Sequence, residues 1–138
     1  MKKAMIGYQI YSAREDAEKD LFGTLKKIAE MGYDGVEFAG FYHYTVDEVK
    51  KALEESGLVA ISAHVPLAEI EKDMFKTISD YKAIGCKYIA VPYTDDECRP
   101  GGPRFAETIR NICKFGRLCR EAGIQLLYHN HDFEFVRL

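Results

Sequence analysis

Four times along the chain an amphipathic segment runs into a glycine and a short apolar run follows at once: Met31-Gly32-Tyr33, Ser56-Gly57-Leu58, Ile84-Gly85-Cys86 and Ala122-Gly123-Ile124. This recurrence reads as helix, stop, strand. Glycine suits the residue after a helix, where the chain often turns left-handed at a cost to any residue that carries a side chain. Ahead of each glycine the apolar residues keep helical spacing. The sets are Leu21, Leu25, Ile28 and Ala29; Val49, Ala52 and Leu53; Ile70, Met74, Ile78 and Tyr81; and Phe105, Ile109, Ile112, Cys113 and Leu118. Each set predicts one buried stripe facing a core. Thr45 with Glu48 has the spacing of a capping box and marks the start of the second helix, while Pro103 fits the first turn of the fourth.

The runs after the glycines are Val36-Glu37-Phe38, Val59 to Ala63, Tyr88 to Val91 and Ile124 to Tyr128, and Met5 to Ile10 supplies one more strand at the start. They are short and mostly apolar, as expected of strands covered on both faces. The order is therefore βαβαβαβαβ, which predicts an α/β fold with a parallel sheet and right-handed crossovers. Asp95 to Pro103 is the one long loop, between the fourth strand and its helix.

A chain of 138 residues with 47% hydrophobic residues is expected to form one domain with its own core. Charged residues are 30% of the chain and the net charge is -3, which argues against both a disordered tail and a basic surface for nucleic acid. Cys86, Cys98, Cys113 and Cys119 have neither CxxC spacing nor the density of a disulfide scaffold, so they read as reduced, small buried residues of a cytoplasmic protein. Lys2 and Lys3 precede no long apolar core, so a signal peptide is not expected, and no stretch is long enough to cross a bilayer.

In parallel α/β folds, function gathers where strands end and lead into helices. Here those positions carry Gln9 and Tyr11, then Glu37, then His64, then Tyr93 with Asp95, and finally His129, Asn130, His131 and Glu134. Glu37 interrupts an apolar run, so on an inner face its charge needs a partner or a substrate; the alternative is a surface carboxylate at a frayed strand end. Pro66 stops the third strand just past His64 and leaves that imidazole at the mouth, for substrate contact or proton transfer, or as a hydrogen-bonded structural histidine. Gln9 is a candidate to orient a hydroxyl, or is simply a satisfied polar residue. His129 and His131 alternate, which puts both imidazoles on one side of a strand. With Glu134 or Asp132 they suit a divalent ion, although a strong site needs three or four ligands; a hydrogen-bonding cluster is the other reading.

Four segments together carry a likeness: Gly7-Tyr8-Gln9-Ile10-Tyr11-Ser12, Gly32 to Gly40, Ser62-Ala63-His64-Val65-Pro66-Leu67 and Tyr128-His129-Asn130-His131-Asp132-Phe133-Glu134-Phe135. In this order, each at a strand, they closely resemble the sugar phosphate isomerase/epimerase family, the xylose isomerase-like TIM barrels related in fold to family 2 AP endonucleases. The resemblance implies a (β/α)8 barrel with a divalent metal (manganese, magnesium, cobalt or zinc) at its C-terminal mouth. A full barrel needs about 250 residues, so the expectation is a partial TIM barrel of about five βα units, its N-terminal part. The resemblance also implies isomerisation or epimerisation of a sugar or polyol derivative next to a carbonyl. Glu37 and His64 would be catalytic, Gln9, Tyr11, Tyr93 and Asn130 would bind substrate, and His129, His131 and Glu134 would bind metal. Many relatives carry Glu-Asn-His on the fifth strand where this chain has His129-Asn130-His131, so His129 would take the ligand position. A metal-dependent dehydratase of inositol-like ketones and a non-catalytic sugar-binding half-barrel are the alternatives. The isolated chain is expected to have little activity, and to self-associate through its exposed sheet edges.

Overall fold

The computed structural model describes residues 4–137; Met1 to Lys3, including both lysines weighed above, and Leu138 lie outside the described residues. Five parallel strands form one sheet in the order β1 to β5: β1 (Gly7–Gln9), β2 (Gly35–Phe38), β3 (Val59–His64), β4 (Tyr88–Val91) and β5 (Gln125–Tyr128). The helices between them are α1 (Arg14–Lys19), α2 (Leu21–Glu30), α3 (Val46–Ser56), α4 (Leu67–Lys72), α5 (Met74–Ala83) and α6 (Phe105–Glu121). The alternation predicted from the repeat is thus present, as a partial barrel. The four glycines that end the helical segments all have positive φ, between 71° and 90°.

Sequence periodicity merged what the structure divides. The third predicted helix is broken by Asp73 between α4 and α5, and the first, which begins at Leu21 as its stripe does, is preceded by a short α1 from which Asp20 divides it. Asp20 and Asp73 both take extended backbone, with φ near -156° and -159°, and each side chain accepts from the amide three residues on, Gly23 or Lys76. An aspartate that caps the next helix competes with continuing the previous one. The Thr45 and Glu48 capping box forms as expected, with both reciprocal bonds present. Pro103 instead lies in a turn ahead of α6, whose N-cap is Arg104. The first strand is shorter than Met5 to Ile10, because Ile10 is drawn into a short 3-10 turn where it is fully buried.

The core lies between the sheet's outer face and the helices, with Leu21, Leu25 and Ile28 of α2, Val49 of α3, Ile70 of α4 and Phe115 of α6 against Val36, Phe38, Ala63, Ile89 and Val91. On α6 the buried side chains are Thr108, Phe115 and Cys119, whereas Ile109 and Cys113 are exposed. That corrects both the stripe expected there and the expectation that all four cysteines are buried. The cause is the sheet edge. With no sixth strand beside β5 among the described residues, the Ile109 side of α6 looks into an open groove. Burial pushes the Cys86 and Cys119 thiols up to about 11, which suits inert core residues.

The sheet's inner face is the open one. Val59 is 44% exposed, Tyr88 40% and Leu127 39%, so these strands are not covered on both faces as expected. No helix among the described residues is long and apolar enough to cross a membrane.

Candidate functional site

The register of β2 against β3 slips at one place: Val36 pairs with Ala60, but Glu37 pairs with Ser62. One residue, Ile61, is therefore extra, and a bulge of this kind re-aims the side chains beyond it. Before the bulge Val59 and Ile61 face inward, and beyond it Ser62 and His64 do so, while Ala60 and Ala63 stay buried on the helix side. Strict alternation from Val59 would send Ser62 and His64 to the helix face and strand them in the core.

This re-aiming builds the polar centre of the sheet. The Gln9 amide donates to Glu37 Oε1 at 2.8 Å, the Ser62 hydroxyl donates to Oε2 at 2.6 Å, and His64 Nε2 stands 3.2 Å from Oε1. A carboxylate oxygen only accepts here, so Nε2 of His64 carries the proton and Nδ1 is left as the acceptor. Side-chain exposure is 24% for Glu37 and 13% for His64. Burial pushes the His64 pKa below 6.5, with His129 and His131 adding to the fall; the Glu37 charge opposes this and is outweighed. At neutral pH the contact is thus one between a neutral imidazole and the carboxylate rather than an ion pair.

From His64 the aromatic contacts run on around the mouth. Ring centroids are 4.8 Å apart for His64 and His129 and 4.9 Å for His129 and His131. His131 is stacked on Phe133 at 5.4 Å and meets the Tyr93 edge at 5.7 Å. Gln9, Tyr11, His64, Tyr93, His129 and His131 line one hollow of about 600 Å³. The strand ends singled out in the sequence therefore converge, with Glu37 reached through its bonds to Gln9 and His64. β5 ends at Tyr128, so the two histidines follow the strand, and the His129 amide extends the ladder to the Val91 carbonyl at 3.0 Å.

Four sequence candidates lie elsewhere. Asp95, Asn130 and Asp132 are exposed and are not among the residues lining that hollow. Glu134 faces the groove beside α6, where it accepts from the Tyr128 hydroxyl and the His131 amide, both at 2.6 Å. Two further residues escaped the sequence reading. Ser62 sits two residues before His64, which was its only signal, and Glu69 of α4 reaches the rim of the hollow. Partial desolvation there, then the nearby Asp80 charge, pushes the Glu69 pKa up although the residue as a whole is exposed.

Among the described residues no three His, Cys, Asp or Glu side chains gather closely enough to hold a metal ion. His131 Nδ1 is nevertheless buried without a hydrogen-bond partner, which leaves a lone pair of the kind a metal takes. The histidine pair thus fits as part of a ligand set and not as a whole one.

A family model described as a xylose isomerase-like TIM barrel matches residues 25–138. Among solved structures the chain is similar to a sugar phosphate isomerase/epimerase from Parabacteroides distasonis, with 22% identity and a TM-score of 0.78 over 99% of this chain and 55% of that one. It is also similar to a D-psicose 3-epimerase solved in the presence of D-fructose, with 15% identity and a TM-score of 0.63 over 89% of this chain and 51% of that one. A third is the IOLI protein with a binding zinc atom, with 12% identity and a TM-score of 0.68 over 91% and 51%. The chain spans about half the length of these solved proteins, and at such identities the likeness shows the fold alone. No curated protein matches it.

Proposed function

The chain belongs to the xylose isomerase-like TIM barrel family, and on that premise we propose that its strand ends form part of a site that isomerises or epimerises a sugar or polyol derivative at a carbon next to a carbonyl. The observation that carries this reading is the Glu37 carboxylate, gripped by Gln9, Ser62 and His64 beside the hollow. A carboxylate offers about four acceptor positions, and three are engaged, which leaves one for a substrate proton. Glu37 takes the proton from carbon, and His64 Nδ1 accepts from the adjacent hydroxyl. Gln9, Tyr11 and Tyr93 hold further hydroxyls, and Asn130 touches only a substrate that extends past the rim.

His129 and His131 are the ligands this chain offers to a divalent metal, with Glu134 available only after release from Tyr128 and the His131 amide. Such an ion, when bound, polarises a carbonyl and its neighbouring hydroxyl. The open inner face and the edges of β1 and β5 favour self-association, as two copies cover Val59, Tyr88 and Leu127. A dehydratase is the second reading, since a probable 3-DHS dehydratase from Bacillus anthracis shares the fold with a TM-score of 0.68. Loss of water from the product, rather than inversion, would identify it.

The test is an NMR titration of this chain with D-fructose and with manganese. The ketose should shift resonances of Gln9, Ser62 and His64, and manganese should broaden those of His129 and His131. No ketose-dependent shift at Glu37 or its three partners would refute the sugar site. Rapid ketose turnover by the chain alone would refute the expectation that half a barrel has little activity.

A further inference from the structure

We propose that Arg99 is a positioning residue for this site: it holds the Phe133 and Tyr93 rings that fix the His131 imidazole in its orientation at the hollow. This rests on the reading of His131 as a metal ligand and says what keeps that ligand in place. A metal-binding histidine is ordinarily oriented by a hydrogen bond from its second ring nitrogen to a carboxylate or carbonyl. Here the Glu134 carboxylate takes the His131 amide instead of its ring, and Nδ1 has no hydrogen-bond partner. Aromatic packing does the orienting. The imidazole is stacked on Phe133, with centroids 5.4 Å apart and planes at 11°, and meets Tyr93 edge-on at 5.7 Å and 83°. Phe133 and Tyr93 also meet each other, at 5.5 Å and 77°. Three rings in mutual contact leave each little freedom to turn.

Arg99 joins this triangle through two of its rings. Its guanidinium carbon lies 3.5 Å from the Phe133 centroid and 5.0 Å from that of Tyr93, both within cation–π reach. The guanidinium is itself fixed, since Nε donates to the Thr94 carbonyl at 2.8 Å and Nη1 to Asp96 Oδ1 at 2.6 Å. Thr94 is buried and Asp96 exposed, so the bond to Thr94 is the firmer anchor. A lysine has no planar fork with which to make both bonds while lying against a ring. The remaining nitrogen, Nη2, is buried without a hydrogen-bond partner and is not presented to a ligand. The loop from Asp95 to Pro103 that carries Arg99 is tied to itself: the Cys98 amide donates to the Asp95 carbonyl, the Gly102 amide to that of Arg99 and the Arg104 amide to that of Glu97, each at 2.8 Å. Beyond it Arg104 Nη2 and Asn111 Nδ2 both donate to the Glu71 carboxylate at 2.9 Å, which fastens the start of α6 to α4. A long loop held in this way is a brace between the exits of β4 and β5, rather than a lid.

The experiment compares the wild-type chain with Arg99→Met, Arg99→Lys, Phe133→Leu and the double variant Arg99→Met/Phe133→Leu by NMR of the side chains, first metal-free and then with zinc chloride. In metal-free Arg99→Met the His131 ring resonances should move toward those of a free histidine, as the imidazole leaves the ring currents of Phe133 and Tyr93. Those of Gln9, Ser62 and His64 should stay where they are. Zinc affinity should fall about tenfold, the low end of what removing a ligand's support costs. Arg99→Lys should recover little of that loss. Phe133→Leu should lose as much, with no further loss in the double variant, because both substitutions act on one contact. Unmoved His131 ring resonances in Arg99→Met, an unchanged zinc affinity, or full additivity in the double variant overturns the proposal. Movement of Gln9, Ser62 and His64 as large as that of His131 would show a general loosening of the fold and overturn it as well. Should Arg99→Met not fold, Phe133→Leu decides, and wild-type zinc affinity in that variant overturns the brace. If zinc shifts neither His129 nor His131 in the wild-type chain, the metal reading falls, and the metal-free spectra still decide whether Arg99 fixes the ring.

Discussion

Replacing Glu37 tests the network on which the site is built. Glu37→Ala leaves Gln9 Nε2, the Ser62 hydroxyl and His64 Nε2 without their shared acceptor. A hydrogen bond to a charged group contributes about 1.5–3 kcal/mol, so three would sum to roughly 4.5–9 kcal/mol if they were independent and dry. They are neither. The carboxylate is 24% exposed, so water replaces part of what is lost. Removing a half-buried charge also recovers some desolvation energy. The expected loss is therefore about 2–3 kcal/mol, a fall of about 1–2 M in the urea midpoint. Glu37→Gln should lose only about 1 kcal/mol, because its carbonyl still accepts from Gln9 and His64 while its amide donates to Ser62. A double-mutant cycle of Glu37→Ala with Ser62→Ala should show coupling of about 1 kcal/mol, since their bond is lost in either single variant. Urea unfolding followed by circular dichroism at pH 7 measures all of these. Glu37→Ala as stable as wild type would refute the reasoning, because the three bonds would then merely cancel the cost of desolvating the charge. Equal losses in the Ala and Gln variants would show that the charge, not the set of donors, is what matters.

Gly35→Ala should cost about 2–3 kcal/mol in the same assay, because its Cβ would lie 2.5 Å from the Val59 carbonyl oxygen and 2.9 Å from Ile61 Cγ1, where β2 and β3 are tied together. The His64 pKa is lower in the fold than its unfolded value of 6.5, so the unfolded chain takes up the extra proton and stability falls as pH drops below 6.5. Comparing urea midpoints at pH 5 and pH 7, the fall should be smaller in His64→Gln, and an equal fall in both proteins would contradict the assignment. Light scattering at micromolar concentration should find the chain self-associated, and Leu127→Lys, which places a charge on the open inner face, should shift it toward monomer; a monodisperse wild-type monomer would contradict this.

What was readable in advance followed from local rules. A glycine after each helix, a capping threonine and runs of the right length were enough to set the alternation of elements, and so the parallel sheet. From the sheet followed the convergence of Gln9, His64, Tyr93, His129 and His131, since parallel strands all present their C-terminal ends on one side. The break at Asp73 was missed because that aspartate sits inside an otherwise continuous helical period from Ile70 to Tyr81, and only its capping bond shows which neighbour it serves. Ile109 and Cys113 were misplaced because periodicity finds a stripe without showing whether anything lies against it.

The sequence by itself determined the order of elements and the chemical types available at the mouth, because both depend on residues near one another in the chain. Only the tertiary structure decided which of those side chains meet. The extra residue at Ile61 turned Ser62 and His64 toward Glu37, and such a slip belongs to two strands at once, so neither strand's own pattern records it. The same holds for Glu69, whose position at the rim depends on how a short helix packs beside the strand ends.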